Sequence, residues 1–480
     1  MKNFKKIITG LLTCTALACT SDFEEINTNP VAPVSVQPEF LLRQVLYDFT
    51  DQMSYEGFVA GNLLGQHFTA IDFNLFDRHS LTEAQYGGNP WVFLYRNLRD
   101  NEILLNLAIE NPAYEVYKGP ALIYKSYLTS VLTDLYGDVP YSEALKGKAG
   151  NVTPKYDDQR NIYLSKGGIL DNIDAGIAAI NAYKGAIKLN GDIIYNGDLS
   201  KWVKFANSLK FKSLMRISAK ENVAAQLQTL ATQGNLITKA ADNAFYSFPA
   251  GPPNNFKMAT ARIGDFNLFI MSATSQEILE KYNDPRKAVF FRPTANNAAV
   301  YKGLLNGPDA SKLSISTADY SFSGRIFRED ASKLKANFFA SFEMNFLLAE
   351  AAEKGLISGD AKAYYEAGVK DAFGYWNTPL PADYLSAGAA AYKANGANAI
   401  EQIITQKWIS NYIHGYESWI EYRRTGFPVL KQISASLNQN LIPLRLPYPT
   451  TEDVLNNANF KIAATATNNN SVNTPVWWDK

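Results

Sequence analysis

Both cysteines of this chain, Cys14 and Cys19, stand near its start, so everything beyond Cys19 has to fold without a thiol. No disulfide can staple such a body, and no Cys-ligated metal can nucleate it. Stability has to come from burial instead. At 480 residues the chain is long enough to hide about three quarters of its unfolded surface. Its 46% hydrophobic content fits a globular interior, and no later run approaches the roughly 20 apolar residues that span a bilayer.

The first residues read as a separate segment. Lys2, Lys5 and Lys6 precede an apolar run from Ile7 that is about a dozen residues long, too short to cross a membrane. Small Ala18 and then Cys19 follow, and the chain switches abruptly to Thr20-Ser21-Asp22-Phe23-Glu24-Glu25. A basic, then apolar, then small-residue order is that of a secretory signal. Ala16-Leu17-Ala18-Cys19 is also an imperfect bacterial lipobox, with Ala16 where Leu is more usual. The expectation is a signal peptide over residues 1–18 and a single domain over residues 19–480, anchored to a membrane through a lipidated Cys19.

Formal net charge is zero, and losing residues 1–18 removes three Lys and no acid. A nearly neutral chain has no general attraction to nucleic acid, and no such partner is expected. Aromatic residues are abundant at 13%, with 27 Tyr, 27 Phe and 7 Trp. Tyr and Trp join a flat apolar face to a polar handle, which suits stacking on sugars or peptides and equally suits packing between helices.

Apolar residues recur at helical spacing in several places. Tyr117, Ala121, Tyr124, Leu128, Val131, Leu132 and Leu135 form one stripe, closed by Gly137 and Pro140. Trp202, Phe205, Ala206 and Leu209 form another, and Ile400, Ile404, Trp408 and Tyr412 a third. Met344, Leu347, Leu348 and Ala351 are followed, after Gly355 to Gly359, by Tyr365, Val369, Ala372 and Trp376, with Asp360 placed to cap the second helix. That pair is the αα-hairpin unit of tetratricopeptide-like arrays, although no strict repeat is visible. Long irregular stretches over 138–158, 246–268, 292–330 and 378–398 separate the helical blocks. The fold class expected is predominantly α, built from helix pairs with inserted loops and small strands.

Enzymatic motifs are missing. The three His, at 67, 79 and 414, show no zinc-type spacing, and there is no Gly-x-Ser-x-Gly elbow, Walker A loop or dinucleotide fingerprint. No calcium-loop pattern occurs, so no metal or cofactor is expected. Asp157-Asp158 reads as a helix-capping turn, and Arg423 and Arg424 read as ion-pair partners of Glu417 and Glu421 on one helix.

Several segments carry a resemblance. They are Asn27-Thr28-Asn29-Pro30, Leu132-Thr133-Asp134-Leu135-Tyr136-Gly137-Asp138-Val139-Pro140-Tyr141, Trp202-Val203-Lys204-Phe205, Asn283-Asp284-Pro285-Arg286 and Phe346-Leu347-Leu348-Ala349-Glu350. Glu417-Ser418-Trp419, Arg423-Arg424-Thr425-Gly426-Phe427-Pro428 and Pro443-Leu444-Arg445-Leu446-Pro447 follow in order. Together they resemble the SusD/RagB-like outer-membrane lipoproteins, in particular the SusD-like branch. The resemblance implies a helix-pair body on the bacterial cell surface that partners a TonB-dependent, SusC-like β-barrel transporter, acts as its hinged lid and captures nutrient.

In that family ligand contacts tend to come from inserted loops. The resemblance therefore directs attention to Phe73, Asn74, Phe76 and Arg78 in one loop, to Trp91 just after it, and to Tyr320, Phe322 and Arg325 in a second. Rings beside planar hydrogen-bonding groups suit an oligosaccharide first and an oligopeptide second. A lipid-anchored glycoside hydrolase would instead need two facing loop carboxylates about 5–9 Å apart, and a pure interaction scaffold would need no pocket.

Overall fold

The computed structural model describes residues 36–83, 86–312, 316–394 and 396–479; the leader, Cys19 and Asn27-Thr28-Asn29-Pro30 lie outside the described residues. Helices α1 (Pro38–Glu56), α2 (Trp91–Glu110), α3 (Lys118–Tyr136), α4 (Ile169–Ala182) and α5 (Leu199–Ile217) pack in chain order, each on the next. Helices α6 (Ser341–Glu353), α7 (Ala361–Tyr375), α8 (Ala397–Ser410) and α9 (Glu417–Thr425) form a second group, in which α6 packs on both α7 and α8. Contact between α5 and α6 joins the two groups. The architecture is the predominantly helical, helix-pair arrangement that the periodicity predicts.

Local chemistry sets the helix starts. Asp198 accepts from the backbone N–H groups of Ser200 and Lys201 at the head of α5, and Asp360 accepts from Ala363 at the head of α7. Asp158 caps the short helix Gln159–Leu164 in the same way. Gly137 ends α3 with positive φ, yet its ψ of −125° is not that of a left-handed cap; it turns the chain straight into strand β2 (Val139–Pro140). The predicted stripe of α3 is core, with Tyr124, Leu128, Leu132 and Leu135 at most 1% exposed. Trp202, Trp408 and Trp419 are also core, and each indole N–H is satisfied by Asp192, Gly65 and Pro443 respectively.

Strands are few and short. β2 pairs with β3 (Tyr156–Asp157), and β4 (Ala244–Ser247) pairs with β6 (Lys335–Phe339). β1 (Phe68–Ala70) pairs antiparallel with β5 (Phe269–Met271). Between α1 and β1 the helix widens into a π-turn over Gly57–Gly61. A Cβ at Gly61 would stand 1.9 Å from the carbonyl oxygen of Gly415, and one at Gly57 would stand 2.6 Å from that of Ile413. Both contacts are backbone, so neither can give way cheaply. Gly61→Ala is expected to lower stability by about 1–3 kcal/mol, read as a fall in melting temperature; an unchanged melt would show that this turn can shift.

The second group is tied to the first by charge as well as by apolar packing. Arg216 of α5 reaches Asp134 of α3 at 3.1 Å and Glu417 of α9 at 2.9 Å, and it also binds Glu421. Lys212 bridges Glu343 of α6 at 2.7 Å and Glu417 at 3.0 Å. Arg424 forks onto Glu350 of α6 at 2.6 Å and pairs with Glu421 at 2.7 Å, while Lys407 of α8 stands 3.3 Å from Glu421. The predicted i,i+3 pair is therefore one edge of a buried lattice. Arg423 departs from its expected pairing on the helix: it lies over the rings of Trp419 and Trp478 and donates to the carbonyl of Asp134.

Candidate ligand-binding site

The two loops singled out in the sequence hang from one small sheet. β1 leads directly into residues 72–78, and its partner β5 is bridged on its other side by the second loop, with Ile270 opposite Phe322 and the N–H of Met271 donating to the carbonyl of Ser321 at 2.8 Å. Sequence positions some 250 apart thus share a scaffold.

Most of the first loop holds itself in place. The buried Asp77 carboxylate accepts from Thr69 Oγ1 and Asn306 Nδ2 at 2.7 Å, and from the backbone N–H groups of Ala70 and Gly307. Burial pushes its carboxyl up from the ordinary range, and these four donors oppose that rise. Asn74 is buried and donates to the carbonyls of Ala70 and Pro308, Arg78 donates to that of Ala435, and Phe76 is only 3% exposed. Those three side chains therefore serve the loop's own structure.

Phe73 does the opposite. It is 53% exposed and sits at φ 46°, a left-handed backbone unusual for a bulky residue, braced by its N–H donating to Asp72 Oδ1 at 2.7 Å. Its ring meets Tyr86 edge to face at 6.2 Å. The Tyr86 hydroxyl donates to Asp265 Oδ1 at 3.4 Å, and Arg262 forks onto the same carboxylate at 3.0 and 2.9 Å. Burial and then Asp265 push the Tyr86 phenol up, so it stays a donor; the Arg262 hydrogen bond holds the Asp265 carboxyl down, so it stays an acceptor. The result is an open aromatic platform with a carboxylate and a guanidinium at its edge.

The second loop is divided. Phe322 is half-buried where it bridges Ile270. Tyr320 is also half-buried, with Lys302 Nζ 5.0 Å from its ring. Arg325 is exposed, pairs with Asp330 at 3.3 Å, and lines a cleft of about 310 Å³ with Arg292, Tyr301, Tyr375 and Asn377. Trp91 belongs to another neighbourhood, 4% exposed among Tyr95, Tyr136, Tyr156 and Tyr448.

Sequence reasoning missed Tyr86, Arg262 and Asp265. The available signals were a Tyr immediately before Gly87-Gly88 and a charged pair flanking Ile263-Gly264 inside an irregular stretch. The histidines are buried, and His67 is stacked 3.9 Å from Trp408 with Nε2 on Ser418. Burial holds the His67 imidazole well below its usual range and brings that of His79 to about 4, so both are neutral packing groups. Among the described residues no cluster of His, Cys, Asp or Glu is placed to hold a metal ion.

A rigid helical body that offers rings and fixed polar groups on an open face is a binding architecture. The SusD-like family model described as starch-binding and associating with outer membrane matches residues 30–449, and the chain belongs to that family. A SusD homologue from Bacteroides fragilis NCTC 9343 superposes with a TM-score of 0.77 at 26% identity, over 93% of this chain and 100% of that one. A chitin-binding protein gives 0.77 at 25% identity over 92% and 100%, and a chitin-binding SusD homologue from Flavobacterium johnsoniae gives 0.74 at 22% over 92% and 97%. Comparison with curated proteins gives no match. The chain is thus a SusD-like nutrient-binding protein of an outer-membrane-associated family.

Proposed function

We propose that residues 19–480 form one nutrient-binding domain, held on the outer face of the outer membrane by lipid on Cys19. It captures an oligosaccharide on the Phe73–Tyr86 platform and hands it to a TonB-dependent, SusC-like β-barrel. The observation that carries this reading is Phe73, an exposed ring in a strained backbone that contributes little to folding and is aimed at solvent. A sugar ring stacks on such a face, and its hydroxyls match the Asp265–Arg262 fork at the platform's edge. The family's starch-binding description and the chitin-binding name of a similar structure support glycan over peptide. Exposed Arg325 and its cleft offer a second contact on the same scaffold.

Calorimetric titration with maltoheptaose, chitohexaose and mixed pentapeptides tests the cargo. Saturable heat with one glycan class is expected, and saturation by peptides alone would overturn the glycan assignment. Native pull-down from detergent-solubilised outer membrane tests the partner: repeated absence of a large β-barrel protein would sink that part. Cys19→Ala is expected to move the protein to the soluble fraction and abolish uptake by cells while leaving glycan affinity in solution unchanged. Loss of soluble binding in that variant would show that Cys19 does more than tether.

A further inference from the structure

A groove unconnected with the platform runs beside α2, under the loop that follows β2. It has two lobes of about 410 Å³ each, and both are lined by Tyr95, Pro140 and Leu145, so they meet at that ridge. One lobe is aliphatic. Val92 from α2, Val152 from the loop and Leu455 from the helix Thr450–Leu455 line it while 60%, 73% and 71% exposed, with Trp91 at its floor. Three segments that are distant in sequence each leave an aliphatic side chain in water at one place, which marks an interaction site.

The other lobe is basic. Lys125, Lys146 and Lys166 line it against Glu102. Lys125 is paired with Glu102 at 2.8 Å, whereas Lys146 donates only to the carbonyl of Ser142 and Lys166 is exposed, neither forming an ion pair among the described residues. The ridge between the lobes carries a further sign. Leu145 is 38% exposed at φ 63°, a branched residue in left-handed backbone.

We propose that this groove binds a single-chain anionic amphiphile, a medium-chain fatty carboxylate, with its chain in the aliphatic lobe and its head on Lys146 and Lys166. The planar polar groups in the aliphatic lobe are already engaged, Glu452 accepting from the Tyr156 hydroxyl at 2.9 Å and Asn456 donating to the carbonyl of Pro154 at 2.7 Å. The wall left open therefore fits a hydrocarbon better than a sugar, and two ammonium groups without an ion pair at the other end select an anionic head.

The test uses the full chain carrying Cys19→Ala, purified without detergent, and calorimetry with sodium dodecanoate below its micelle concentration. One saturable site is expected, at least about tenfold tighter than for dodecyltrimethylammonium. Val92→Ser with Leu455→Ser should weaken dodecanoate about tenfold or more, since both side chains are exposed and the fold should not depend on them. Leu145→Gly relieves the strained backbone, so it should keep or raise the melting temperature while also weakening binding. Lys146→Glu with Lys166→Glu should erase the preference for the anionic head. Absence of saturable heat, dodecanoate binding unchanged in the Val92/Leu455 variant, or binding to phosphatidylglycerol vesicles without binding to dodecanoate would each overturn the proposal. Glycan binding is expected to be unaffected in all these variants.

Discussion

Glu421→Ala is expected to cost about 3–5 kcal/mol of unfolding free energy, measured by urea titration. The Glu421 carboxylate accepts from Arg216 and Arg424 and faces Lys407 at 3.3 Å, and all four side chains are at most 4% exposed. Truncation leaves two guanidinium groups and an ammonium under-compensated in the interior, and the penalty is their desolvation rather than the value of one pair. A loss below about 1 kcal/mol would mean that water reaches the lattice. The same lattice sets the acid limit. Burial pushes the Glu350 carboxyl up, but Arg424 and then Lys354 overcome this and hold it at about 2, against an ordinary value of 4.5. Its folded value lies below its unfolded one, so its stabilisation is complete above about pH 4.5 and drains away as pH falls toward 2. Melting temperature should therefore fall across that window, and Glu350→Gln should flatten the fall.

Phe73→Ala is expected to weaken glycan binding roughly ten- to a hundredfold, the size of a central contact residue, while the melting temperature stays within about 1 °C. The ring is 53% exposed, its neighbour is Tyr86, and removing it opens no cavity. Phe76→Ala is the matched control. At 3% exposure its loss should cost about 3–5 kcal/mol of stability. If Phe73→Ala instead destabilised the fold and left affinity intact, the platform would be packing surface and the glycan would have to bind elsewhere, with the Arg325 cleft the next place to look.

The contrast between these two phenylalanines shows where sequence reading stops. Helical stripes are local patterns, so Tyr124, Leu128, Leu132 and Leu135 could be assigned to one buried face without knowing what they touch. Asp360 before a periodic run was legible for the same reason, since a cap acts within one turn. Phe73 and Phe76 are three residues apart in an irregular loop, and what separates them is a carboxylate at Asp77 held by Asn306 and Gly307, over 200 positions away. Tyr86, Arg262 and Asp265 converge only after β1 finds β5, a pairing that no local period encodes. Arg424 lies between these cases: its partner at Glu421 was readable along the helix, but its shorter fork to Glu350 on another helix was not. Resemblance carried the fold. The residues that make the platform came from long-range contacts.

The charged lattice also has a mechanical consequence. Apolar helices can slide past one another by repacking, but a slip between α5, α6 and α9 would part Arg216, Lys212 and Arg424 from their largely buried carboxylates together. The body is riveted against internal shear. On the proposed role, any swing of an anchored, partner-bound domain would be taken up at its edges rather than by slip between these helices.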